Sequence, residues 1–176
     1  MTVIGRLAIA VAATFAGLAE RAAGEEGSLE YAVKAAFLHR FGSFVSWPEG
    51  SAAPRAPVQI CVVGRDPFGP TLDRAVQGQT INGRPIAVRR LSVISPGSGC
   101  DIAYLGGSPA QSVAAAARAV LTAPVLTVAE VHEPGVVIQF VLRGNRVRFH
   151  IDRRAAEQSR LTVSSKLLNL SVDPGA

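Results

Sequence analysis

The stretch Val58-Gln59-Ile60-Cys61-Val62-Val63-Gly64-Arg65-Asp66-Pro67-Phe68-Gly69-Pro70-Thr71-Leu72-Asp73-Arg74-Ala75-Val76 decides the fold. Its first six residues form a run that is apolar on both faces toward its end. A strand of that kind cannot leave one side in water, so it belongs to a parallel sheet covered by helices. Gly64 to Gly69 is a turn, with Asp66 read as the cap of the short helix at residues 70–76. A strand, a tight turn and a helix in this order form half of a parallel crossover.

Downstream the pattern repeats. Gln79-Thr80-Ile81, the Asn82-Gly83 turn and residues 86–91 read as a hairpin, with Pro85 placing part of it at an edge. Residues 102–105 are a second buried strand, and residues 124–131 a third. Between them the alanine-rich stretch 109–121 reads as a helix, with Ser108 as N-cap and Pro109 in its first turn. Residues 136–142 and 147–151 flank Arg143-Gly144-Asn145-Arg146 as a last hairpin. Its apolar row is Ile138, Phe140, Leu142, Val147, Phe149 and Ile151, with Arg146, Arg148 and His150 on the other face. Asp152 caps a helix over 153–159. Leu161-Thr162-Val163 and a short helix carrying Leu167, Leu168 and Leu170 complete the chain.

Upstream, Leu29, Val33, Ala36, Phe37, Phe41, Phe44 and Val45 recur at threes and fours, one face of a helix of about four turns. Ser28 is its expected N-cap, Trp47-Pro48 its stop, and residues 50–57 a flexible link. The expected fold class is α/β: a three-layer sandwich with a mainly parallel central sheet, one C-terminal β-hairpin and flanking helices.

The chain has 176 residues, 48% hydrophobic and 18% charged, with a formal charge of +5. That composition excludes a disordered or low-complexity chain. Sixteen of its 18 basic residues are Arg, and the lysines are Lys34 and Lys166. Met1 to Arg6 carries one positive charge, Leu7 to Ala16 is uninterrupted apolar sequence, and small residues follow. This is the layout of a secretory signal peptide. Cleavage after Ala19 and cleavage after Gly24 both fit. The expected organisation is a signal peptide at 1–24 and a single domain at 25–176. Removing residues 1–24 takes away Arg6, Arg21 and Glu20 and leaves a charge of +4. Acidic protein surfaces, anionic lipid heads and small anions are the partners this charge favours, and nucleic acid is not expected.

Cys61 and Cys100 are the two cysteines. In an oxidising compartment an isolated pair forms a disulfide. The loop closed would be roughly 40 residues, which chain entropy values at ~3–4 kcal/mol.

Motifs for catalysis are absent. The turn at Asp66 has neither a dinucleotide fingerprint nor a P-loop, and Asp66 and Phe68 would hinder close approach to a phosphate. There is no G-x-S-x-G. Ser164-Ser165-Lys166 lacks S-x-x-K spacing, and Ser164 is a natural N-cap. Glu130, His132 and Glu133 are too sparse for a metal site. No catalytic residue, metal or cofactor is expected, and the chain reads as no enzyme.

Several short segments, in order over about residues 28–171, resemble the YfiR-like family of bacterial periplasmic proteins. They are Val33-Lys34-Ala35-Ala36-Phe37-Leu38 through Trp47-Pro48; Ile60-Cys61-Val62-Val63-Gly64 with Asp66-Pro67-Phe68-Gly69; Ile81-Asn82-Gly83-Arg84-Pro85 with Val88-Arg89-Arg90-Leu91; Cys100-Asp101-Ile102-Ala103-Tyr104-Leu105; Pro124-Val125-Leu126-Thr127-Val128; and Val147-Arg148-Phe149 with Leu161-Thr162-Val163-Ser164-Ser165-Lys166-Leu167-Leu168. The resemblance implies an exported α/β domain that self-associates, here as a homodimer. It also implies a regulator that binds the periplasmic part of an inner-membrane diguanylate cyclase and holds it inactive, lowering cyclic di-GMP and biofilm formation. Cys61 and Cys100 match the family's cysteine positions. The second pair found in some relatives is missing, so control through it cannot operate here.

For such a regulator the candidate surfaces are Trp47-Pro48 and the segment from Thr162 through Ser164 and Lys166 to Leu168. The competing reading is a periplasmic small-molecule or anion sensor using Arg148, Lys166 and the loop at Asp66. A hydrolase is the third, and it would need a converging Ser/His/Asp set.

Overall fold

The computed structural model describes residues 29–50 and 56–173; the expected export segment, the Ser28 cap and residues 51–55 of the link lie outside them. Helix α1 occupies 29–41 and passes through a 3-10 turn, Gly42–Phe44, into β1 (Val45–Ser46). Then come β2 (Val58–Gly64), α2 (Pro70–Val76), β3 (Thr80–Ile81), β4 (Arg84–Leu91), β5 (Ile102–Gly107), α3 (Val113–Ala119) and β6 (Leu126–Ala129). The chain continues through β7 (Ile138–Arg143), β8 (Arg146–Ile151), α4 (Arg153–Gln158), β9 (Thr162–Val163) and α5 (Ser165–Leu168).

The double-sided apolarity of β2 puts it inside a seven-stranded sheet of order β3-β4-β2-β5-β6-β7-β8. β2 pairs in parallel with β4 and β5, β5 with β6, and β6 with β7. Only β3 and β8 at the two ends run antiparallel. Ile60, Val62, Ile102, Tyr104, Leu126 and Val128 face one core, covered by Leu38 and Phe41 of α1, Leu72 of α2, Ala155 of α4 and Leu167 of α5. Cys61, Val63, Ala103, Leu105 and Ala129 face the other, covered by Ala116 and Ala117 of α3. The three-layer sandwich with a mainly parallel sheet is therefore present. A separate two-stranded antiparallel ribbon joins β1 to β9.

Both expected hairpins form. Asn82 and Gly83 have φ of 51° and 77°, and Gly144 and Asn145 have 51° and 60°, the two positive values that a type I′ turn requires. In the second hairpin Phe140 lies opposite Phe149. Phe41 packs on Phe149 with ring centroids 5.0 Å apart, and Phe37 on the same ring at 5.7 Å. Each such pair contributes about 0.5–1.5 kcal/mol beyond its buried area.

Four local expectations are corrected. α1 ends at residue 41, because the Phe44 carbonyl accepts the Ser164 N–H and Val45 pairs with Val163. The helix-like spacing of Phe44 and Val45 thus comes from a 3-10 turn and a strand. α3 starts at Val113, and its cap is Ser112, whose hydroxyl accepts the Ala115 N–H at 3.2 Å. Residues 108–111 form a turn instead, held because the Gln111 amide bonds both the N–H and the carbonyl of Ile94. β6 is shorter than expected, spanning Leu126–Ala129, because Glu130 turns toward Tyr104. Asp66 is no helix cap: Gly69 holds the N-cap position of α2, with no side-chain bond. The caps at Asp152 and Ser164 are as expected.

Candidate functional site

The β1–β9 ribbon assembles one group of the candidate residues. Val45 pairs with Val163 and Ser46 with Thr162 in antiparallel register, so Trp47-Pro48 follows on just past Thr162, while Ser164 bonds Phe44 at the other end of the ribbon and Lys166 lies beyond it in α5. Ser164 stays in place by accepting the Leu167 N–H at 3.4 Å. Trp47 is half-buried against the main core, and its indole nitrogen is buried with no hydrogen-bond partner. Thr162 and Lys166 are exposed. A depression of about 220 Å³ adjoins the ribbon, lined by Arg153, Leu161, Thr162, Val163 and Leu168.

Asp66 and Arg148 lie elsewhere. Asp66 is at the carboxyl end of β2, where one oxygen accepts the Phe68 and Gly69 N–H groups at 2.8 and 3.1 Å. The other oxygen takes Arg90 Nε at 2.7 Å. Arg90 also reaches Asp73 and the Gly69 carbonyl. Both oxygens of Asp66 are therefore used in holding its own turn. Arg148 stands on the outward face of β8, opposite Val141.

The crevice where open α/β sheets take ligands is also filled. Strand order reverses between β2 and β5, whose following helices α2 and α3 lie on opposite faces. In open sheets of this kind ligands sit just outside the carboxyl ends of that pair. Here Arg65 N–H donates to the Gly107 carbonyl at 3.0 Å, and a Cβ on Gly106 would stand 2.0 Å from the Arg65 carbonyl oxygen. Backbone occupies the space a ligand would need.

A buried polar cluster that the sequence reading missed lies under the start of α1. Lys34 is 2% exposed. It forms ion pairs with Glu30 and, at 3.0 Å, with Glu130. Tyr104 donates to Glu130 at 2.6 Å and Tyr31 at 3.4 Å. The Lys34 ammonium sits 4.7 Å from the centre of the Tyr31 ring. Burial pushes the Lys34 pKa down, but the hydrogen bonds that its ammonium donates to Glu30 and Glu130 outweigh it, and the net shift is upward. Burial, then Glu130, pushes both Tyr104 and Tyr31 up. A signal was available: Lys34 lies one turn before the apolar Leu38, beside the expected stripe and not on it, and four residues after Glu30, in a chain with two lysines.

The cluster ties α1 to the sheet. Removing one partner of a buried ion pair costs about 3–5 kcal/mol, and the quarter-exposed Glu30 and Glu130 side chains reduce that here. Lys34→Met is expected to lower stability by roughly 2 kcal/mol, with Lys34→Met/Glu130→Gln regaining part of the loss, both measured by urea unfolding. All three raised groups stabilise the fold fully below their unfolded values, 10 for tyrosine and 10.5 for lysine. That contribution fades as pH climbs past them, because the unfolded chain releases its protons first. Stability should therefore fall above pH 10, less steeply in Lys34→Met; equal slopes would count against the assignment.

The Glu130, His132 and Glu133 trio does not converge. His132 Nδ1 faces Gln139 Oε1 at 3.2 Å while Glu130 faces Tyr104. Among the described residues no group of three His, Cys, Asp or Glu could hold a metal ion, and no helix is long and apolar enough to cross a membrane. Cys61 and Cys100 are joined in a disulfide, with Cα atoms 5.8 Å apart.

A doubly covered parallel sheet with a closed switch point, a stapled central strand and a Trp-bearing ribbon defines a three-layer α/β domain. The chain belongs to the YfiR/HmsC-like family, whose model matches residues 31–172. Among curated proteins, none matches it.

Proposed function

We propose that this protein is an exported, non-enzymatic regulator. It binds the periplasmic part of an inner-membrane diguanylate cyclase and represses it, lowering cyclic di-GMP and biofilm formation. The observation that carries this reading is membership of the YfiR/HmsC-like family across residues 31–172. The Cys61–Cys100 bridge supports export, since disulfides persist in oxidising compartments. Repression needs only that the protein bind the inactive cyclase more tightly than the active one. The surface we assign to that contact is Trp47-Pro48 with Thr162, Ser164 and Lys166, presented by a homodimer.

The test is cellular cyclic di-GMP after deletion of the gene, with complementation by exported and signal-less forms. A rise reversed only by the exported form is expected. No change while the protein is demonstrably expressed would overturn repression and move the weight to ligand sensing.

A further inference from the structure

The apolar row of β7 runs out of the core. Ile138 is 0% exposed, Phe140 2% and Leu142 53%. Across the sheet Leu142 faces Val147. On α1, Leu29 and Val33 are exposed too, at 68% and 36%. Phe37, one turn after Val33, lies on Phe140 and Phe149. α1 runs against the strands: Tyr31 reaches Glu130, just past β6, while Gly42 lies beside Ile102 at the start of β5. One turn back along the helix is about 6 Å, and one same-face step along a strand about 6.8 Å. The stripe Phe37–Val33–Leu29 therefore leaves the core in step with the Leu142–Val147 rung. Glu30, Lys34, Leu142 and Arg143 line one depression of about 380 Å³, which joins the first turn of α1 to the hairpin tip.

The same tip is basic. Arg143 and Arg146 lie directly opposite each other across the type I′ turn, and Arg148 follows on the same face. Like charges directly opposed in a sheet are destabilising. Arg146 and Arg148 are exposed, with no ion pair or hydrogen bond among the described residues. Arg143 donates to the Asp173 carbonyl at 3.3 Å. The nearby carboxylates of Glu30 and Glu130 are turned inward to Lys34.

We infer that this end of the molecule, the β7–β8 tip with the first turn of α1, docks on an anionic lipid bilayer. An end that carries exposed aliphatic side chains on one face of the hairpin and arginines on the other fits a surface that accepts Leu and Val at its boundary and supplies phosphates around them. A protein hot spot would favour an exposed aromatic anchor, and the exposed side chains of the tip, Leu29, Val33, Leu142, Arg146 and Arg148, include none. The contact is weak and reversible, and it holds the domain at the membrane plane whether or not a cyclase is its partner.

The test uses the full exported protein, purified from the periplasm, in co-sedimentation with vesicles. Phosphatidylglycerol–phosphatidylcholine vesicles at low salt should bind it, and phosphatidylcholine vesicles should not. Binding should fall steeply at about 0.5 M salt, where the screening length is only a few ångströms. Each arginine near an anionic surface contributes roughly fivefold, so Arg146→Gln/Arg148→Gln should lower partitioning about 25-fold with an unchanged unfolding midpoint. Leu142→Ser should weaken it further. No binding to anionic vesicles, or equal binding by the arginine variant, overturns the inference. So does loss of cyclase capture by that variant while vesicles are ignored, which would assign the tip to a protein.

Discussion

Gly106→Ala is expected to yield a chain that does not accumulate in folded form. The added Cβ would stand 2.0 Å from the Arg65 carbonyl oxygen and 3.0 Å from its carbon. Both atoms are backbone, so no rotamer change relieves the contact. Arg65 cannot retreat without losing its N–H bond to Gly107 and pulling on Gly64, where a Cβ would itself stand 2.6 Å from the Gly107 oxygen at a φ of +79°. The two loops must separate, opening the β2–β5 pairing at the centre of the sheet. A loss of about 4 kcal/mol or more follows, a large part of the ~5–15 kcal/mol that holds a domain. Gly97→Ala is the control, since nothing lies within 4 Å of its Cβ position and its effect should stay within about 0.5 kcal/mol. Soluble yield and urea midpoints measure both. A Gly106→Ala protein with near-normal stability would mean that the two loops do not meet.

Replacing both Cys61 and Cys100 with Ser is expected to cost about 4 kcal/mol. The bridge spans a sequence separation of 39 residues, and the unbridged unfolded chain regains that loop's freedom. It staples β2 to the residues just before β5, and both cysteines are buried, at 0% and 7% exposure. Serine hydroxyls left there add a desolvation penalty. Equilibrium unfolding with and without reductant is the check. Wild type should lose stability on reduction, and the Ser/Ser protein should be indifferent to it. A wild type whose midpoint ignores complete reduction would remove the stabilising role of the bridge.

How far each element was legible follows from how local its cause is. β2 was legible because burial on both faces is written into Val58–Val63. The two hairpins were legible because Asn82-Gly83 and Gly144-Asn145 occupy positions that demand positive φ. Asp152 and Ser164 cap helices two or three residues away. The end of α1 was not legible, because a stripe at Phe44 and Val45 reads the same whether it continues a helix or enters a strand. Partners about 118 residues away decide between them. The start of α3 is similar, set by Gln111 reaching back to Ile94. An Asp before a short helix has the local pattern of a cap, but Arg90, 24 residues on, holds Asp66 to another task.

The candidate surface divides the same way. Trp47 and Thr162 stood out separately, but their adjacency comes from a two-residue ribbon with no hairpin to announce it. Lys34 was visible as a charge one turn before Leu38 and one turn after Glu30; its second carboxylate, Glu130, arrives from just past the end of β6. By itself the sequence determined what neighbouring residues settle among themselves: the fold class, the strands buried on both sides, the turns and the caps at Asp152 and Ser164. Only the tertiary structure decided where α1 stops, what surrounds Lys34, and that the β2–β5 crevice is filled by backbone. Each of these rests on a contact between distant segments, whose free energy exceeds the local preference but leaves no period or spacing in the chain.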